Sequence, residues 1–108
     1  MVQIFNISSL VRDRAAQSSF HVAAEKHLRI EYRNLLAGQV IGPFAYEGDV
    51  VVTCYRGVFK LTAGDEAVEL GELDQAVVPV GTRILIECLT AGTMQVIWTP
   101  AHAKTTQS

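Results

Sequence analysis

Few side chains in this sequence are equipped for chemistry. Among its 108 residues there are three histidines, His21, His27 and His102, and two cysteines, Cys54 and Cys88. His27 opens the run His27-Leu28-Arg29-Ile30-Glu31-Tyr32-Arg33, where it shares one side of the alternation with Arg29 and Glu31. A histidine beside a carboxylate can act as a general acid or base, but the same pattern also describes a solvated charged face. No Cys-X-X-Cys motif activates either thiol. Two small buried hydrophobes are therefore expected rather than a redox or metal-binding pair.

The elements that would position these groups can be read from pattern and punctuation. Leu28, Ile30 and Tyr32 alternate with Arg29, Glu31 and Arg33, which is the period of a strand with one apolar and one charged face. Asn6-Ile7-Ser8-Ser9 supplies cap residues for a short helix through Leu10-Val11-Arg12-Asp13-Arg14-Ala15. A helix that short needs something to pack on. The segment Phe20–Glu25 suits a strand or a helix. All eight glycines and all three prolines follow Ala37. From there, turns at Gly42-Pro43, Glu47-Gly48-Asp49, Gly57, Ala63-Gly64-Asp65-Glu66, Gly71, Pro79-Val80-Gly81 and Ala91-Gly92 separate short β-branched segments. Those segments are Val50–Tyr55, Val58–Leu61, Ala67–Leu70, Ala76–Val78, Arg83–Leu89 and Thr93–Thr99. Closely spaced strands with turns between them imply an antiparallel sandwich or barrel. The expected organisation is an arm with a short helix at 1–18, a β-barrel at 19–100 and a flexible polar tail at 101–108.

Composition narrows the function classes. The length suits one domain. A hydrophobic fraction of 49% with 19% charged residues describes a globular chain, and a net charge of −2 offers no general attraction to nucleic acid. Charge is unevenly spread: five basic and three acidic residues lie between Arg12 and Arg33, against two basic and seven acidic between Glu47 and Asp74. The first residues do not read as a secretory signal and no apolar run approaches the length of a membrane span. A cytoplasmic protein with reduced thiols and no membrane or nucleic-acid partner is expected.

Two stretches resemble the cupins, small double-sheet jelly-roll barrels. The first cupin motif runs Gly, five residues, His-X-His, three or four residues, Glu, six residues, Gly. Here Gly38 is followed at those intervals by Phe44-Ala45-Tyr46, Val50 and Gly57. The second runs Gly, five residues, Pro-X-Gly, two residues, His, three residues, Asn. Here the corresponding residues are Leu73, Pro79-Val80-Gly81, Ile84 and Cys88. The resemblance covers about residues 28–100 and implies an antiparallel double-sheet jelly-roll barrel with the short helix ahead of it.

In metal-binding cupins, the two His, the Glu and the later His hold a divalent ion. Their counterparts here are Phe44, Tyr46, Val50 and Ile84, which are not ordinary ligands for zinc, iron or manganese. No cofactor is expected. With Phe44 and Tyr46 pointing inward as in the motif, strand alternation turns Val50, Val52 and Cys54 inward, and likewise Ile84, Ile86 and Cys88. Trp98 lies on a strand whose inward face the sequence leaves open. The expected ligand-binding residues are Phe44, Tyr46, Val50, Cys54, Ile84, Cys88 and Trp98, surrounding a small apolar or aromatic molecule. The rivals are a metal-independent isomerase or epimerase and a structural subunit with a solid barrel. Val51 and Tyr55 fall on the outward face and need cover from the N-terminal segment or a second subunit. Small cupins commonly dimerise through such a face, so the resemblance implies a homodimer.

Overall fold

The structure is a computed structural model, describing residue 4, residues 6–25 and residues 28–99, without the side chains of 22–25 and 28. His27, His102 and the tail therefore lie outside the described residues. Helix α1 (Ile7–Asp13) begins at Asn6, whose side chain accepts a hydrogen bond from the Ser9 amide at 2.9 Å. Among the described residues seven strands follow: β1 (Ser19–Glu25), β2 (Leu28–Leu35), β3 (Val40–Ala45), β4 (Val50–Ala63), β5 (Glu66–Leu70), β6 (Gln75–Val78) and β7 (Arg83–Trp98). Among the described residues no helix is long and apolar enough to cross a membrane.

The two longest strands organise the sheet. β4 and β7 pair antiparallel almost from end to end, from Val50 opposite Trp98 to Ala63 opposite Ile84. Partway along, the register slips between Cys54 and Phe59. On one side of the slip the pair is flanked by β2, β1 and β6; on the other, by β3 and β5. The strands run through Gly42, Gly57 and Gly92, which looked like turns, whereas Gly48, Gly64, Gly71 and Gly81 do lie between strands. At the slip the backbones are too close for a side chain: a Cβ on Gly57 would lie 2.6 Å from the Thr90 carbonyl oxygen, and one on Gly92 would land on the Arg56 carbonyl.

Bent there, the sheet brings its two halves face to face. Val50, Val52, Cys54, Met94 and Val96 of one half meet Phe59, Leu61, Ile84, Ile86 and Cys88 of the other in one buried core. The antiparallel jelly roll and short N-terminal helix match the sequence-based expectation. Among the described residues the sheet is not closed into a barrel, because β5, β6, β1 and β3 end it without pairing one another.

A second cluster lies outside the sandwich. Val11 of α1 packs with Phe20 and Tyr32, joined by Leu10, Ile30 and Tyr55. Ser8 Oγ and Tyr55 Oη are 2.6 Å apart, which ties the helix to β4. Tyr32 and Phe20 stack at 5.2 Å. The apolar face of β2 is thus covered by the N-terminal helix, and its charged face turns toward the sandwich interior. This corrects the expectation of a solvated charged face: Arg29, Glu31 and Arg33 are register partners of the inward-facing Trp98, Val96 and Met94, and Glu31 is only 9% exposed.

Candidate functional site

Trp98, at the end of β7, is the point where both halves of the sheet meet. Its register partner on β4 is Val50, and on β2 it is Arg29. Phe44 approaches from β3 with ring centroids 5.5 Å apart, and Tyr46 meets the indole edge-on at 4.9 Å. Such tilted and edge-on contacts suit the ring quadrupoles. Tyr46 is fixed in turn by donating its hydroxyl hydrogen to the Thr99 carbonyl at 2.6 Å. All three rings are partly buried against the core.

The structure divides the seven expected site residues into two groups. Val50, Cys54, Ile84 and Cys88 are sealed core residues, none more than 1% exposed. Phe44, Tyr46 and Trp98 form an aromatic layer above them. The four positions matching cupin metal ligands do come together, with Val50 and Ile84 in the core and Phe44 and Tyr46 packed on it. Their chemistry does not fit a metal: three are hydrocarbon, and the Tyr46 hydroxyl is already donating to Thr99. Among the described residues no group of three or more His, Cys, Asp or Glu could hold an ion.

The thiols are near one another but quiet. Burial raises the pKa of both above the ordinary value. For Cys54 the fields of Asp74, Glu72 and Cys88 add to that effect. Each thiol donates to backbone carbonyls, Cys54 to Gly57 and Cys88 to Thr90, both at 3.3 Å. A protonated, sealed thiol is a poor nucleophile.

Polar groups absent from the expected site complete the wall. Trp98 Nε1 donates to Glu31 Oε1 at 3.0 Å, and Ser19 Oγ donates to Glu31 Oε2 at 3.0 Å. Arg33 stands 3.6 Å from the same Oε2. Arg29 lays its guanidinium over the indole, 4.6 Å from the ring centroid. His21 of β1 is the register partner of Glu31 and is exposed. The signal for these residues was present in the alternation of β2. What it could not supply was which of the two faces α1 would cover.

A separate cleft of about 350 Å³ opens between the unpaired edges of β5 and β6, lined by Leu61, Val68, Ala76, Val78 and Pro79 among others. None of the seven expected residues lines it.

Comparison with solved structures settles the architecture. A cupin superfamily protein from Desulfitobacterium hafniense DCB-2 superposes with a TM-score of 0.73 at 21% identity, covering 76% of this chain and 75% of that one. An RmlC-like cupin family protein with a double-stranded β-helix fold, from Methanocaldococcus jannaschii, gives 0.69 at 19% identity over 77% and 79%. The chain has the cupin fold. A protein from Thermus thermophilus is similar over more of its length, with a TM-score of 0.77, 21% identity, and 92% and 98% of the two chains covered. No protein-family model matches the sequence, and no curated protein does. Within the cupin fold, this chain places the aromatic layer of Phe44, Tyr46 and Trp98 beside Arg29 and Glu31.

Proposed function

We propose that the protein binds a small planar apolar or aromatic molecule at the mouth of its cupin fold, against Trp98. One observation carries this reading: Phe44, Tyr46 and Trp98 converge from different strands and loops but remain partly buried, above a core that is closed. Rings held this way present apolar area for a flat guest, with polar groups close by to orient it. The filled interior moves the proposed contact from the barrel centre to this aromatic layer. Val50, Cys54, Ile84 and Cys88 would support it from beneath rather than line it.

The test is a titration of the intrinsic fluorescence of Trp98, the single tryptophan, with a panel of small aromatic and alicyclic compounds. A saturable change that Phe44→Ala or Tyr46→Ala weakens is expected. No saturable response across the panel would leave the structural-subunit reading, which the sealed core favours. A metal-independent isomerase would need a free acid/base pair at this wall. Glu31, with an oxygen accepting from Trp98 and the other from Ser19, is better placed to hold the indole than to move a proton. We also propose a homodimer, supported by apolar residues left on the outer face of the sheet.

A further inference from the structure

We propose that Arg29 is an anion handle, and that the molecule bound at the mouth is a small carboxylic acid with a flat apolar body. The inference rests on the aromatic-mouth reading and adds the chemistry of the ligand's polar end. Arg29 is partly buried, and its Nε is a buried donor with no hydrogen-bond partner among the described residues. Its register partners are Ala24 on one side and Trp98 on the other, so neither neighbouring strand places a counter-charge opposite it. A buried guanidinium N–H without an acceptor is costly, and an anionic guest would relieve that cost.

The nearby charges leave room for one anion. On this face of β2, Arg29 and Arg33 carry two positive charges against the single negative charge of Glu31. Glu31 is occupied by Trp98, Ser19 and Arg33, so it acts as the brace of the wall. The indole covers a face of the Arg29 guanidinium. An acceptor would therefore have to meet the edge of the guanidinium, where Nε is buried and still without a partner. A carboxylate is planar and matches this fork in bidentate fashion, which a single point charge does not exploit. The same indole that supports Arg29 is in contact with Phe44 and Tyr46. A molecule whose carboxylate meets Arg29 would therefore carry its flat body onto the aromatic layer.

The experiment is isothermal titration calorimetry on the purified full chain with sodium benzoate, benzamide, sodium acetate and inorganic phosphate. Benzoate should bind, and benzamide, its uncharged analogue, should bind about tenfold or more weakly, as expected for loss of a charge-assisted hydrogen-bonded pair. Arg29→Gln should bring benzoate down to the benzamide level and leave benzamide unchanged. Arg29→Lys keeps the charge but loses the fork, and should fall between; it also replaces Arg29→Gln if that variant does not melt cooperatively. Equal binding of benzoate and benzamide, or benzoate binding indifferent to both substitutions, overturns the anion handle and leaves the aromatic mouth standing. Arg29-dependent binding of acetate without any gain for benzoate keeps the handle and sinks the aromatic mouth. Phosphate displacing benzoate and binding more tightly than acetate overturns the carboxylate assignment. No heat with any probe overturns both.

Discussion

Leu73 holds a backbone conformation that its side chain resists. Its φ is +68°, in the left-handed region, where a side chain costs about 1–2 kcal/mol. It stands where the second cupin motif has its first glycine. The turn keeps its geometry through hydrogen bonds: Leu73 N–H donates to the Cys54 carbonyl at 2.6 Å, and Gly71 N–H to Asp74 Oδ2 at 2.8 Å. The leucine side chain is 70% exposed, so removing it forfeits little burial. Leu73→Gly should raise stability by about 0.5–1 kcal/mol, the relief of strain less the extra entropy of glycine in the unfolded chain. Thermal melting measures this, and a lower midpoint would contradict it. The thiols give a second prediction at this scale. Burial raises both in the fold, so above the ordinary thiol value of 9.0 the unfolded chain loses protons that the folded chain keeps. Stability is then unaffected at neutral pH and falls as pH rises past 9.0, with Tyr32, also raised by burial, adding to the loss above 10.0. Melting midpoints at neutral and alkaline pH should diverge, and Cys54→Ala/Cys88→Ala should flatten the slope even though it lowers the midpoint throughout.

At the scale of elements, the strand positions were legible because β-branched segments and turns alternate along the chain. Their fusion was not. Gly57 and Ala91-Gly92 read as turns between short strands, but β4 and β7 run through them as bent, paired strands. A glycine in sequence marks a place where backbone needs freedom or room; only the partner strand shows which. The two faces of β2 teach the same lesson. Alternation separated Ile30 and Tyr32 from Arg29, Glu31 and Arg33, and the metal-ligand positions were legible by spacing alone. Which face looks inward depended on α1 docking over Ile30, Tyr32 and Phe20, a contact between segments that no local pattern encodes. The bend itself is testable by comparing two glycines. Gly92 does not need a left-handed φ, yet its Cβ would strike the Arg56 backbone; Gly38 has φ +91° but open space around it. Gly92→Ala should therefore cost about 3 kcal/mol or more, because backbone cannot yield cheaply at the crossing. Gly38→Ala should cost about 1–2 kcal/mol, the strain alone. Chemical denaturation of the two variants should rank them in that order, and a reversed order would show that the crossing has slack.

The whole molecule leaves one outer surface short of cover. Val51 of β4 lies in register between Ile97 of β7 and Val77 of β6, on the face opposite the core. Helix α1 covers Ile30, Tyr32 and Tyr55 at one end of this face, but Val77 remains 69% exposed and Val80 just beyond it 45%. Among the described residues β6, a four-residue strand, pairs only with β4, so its outer edge also presents unpaired backbone groups. An edge strand with an apolar face beside it is suited to a self-complementary contact, because a two-fold axis brings the same strip of one copy onto the other. The strip is small against the roughly 1,200–2,000 Å² that stable interfaces bury, so the contact would have to extend beyond these side chains along the β6 edge. Light scattering should give a mass twice the 11.8 kDa of one chain. Val77→Lys, which places an exposed charge in the strip without touching the core, should shift the protein to monomer and leave the monomer folded. A wild-type protein that is monomeric at every concentration tested, or a Val77→Lys variant that stays dimeric, removes this face as the site of association. Because the Phe44–Tyr46–Trp98 layer packs on the inner side of the same sheet, monomeric Val77→Lys should still answer the Trp98 titration, so that association and the proposed ligand uptake can be scored separately.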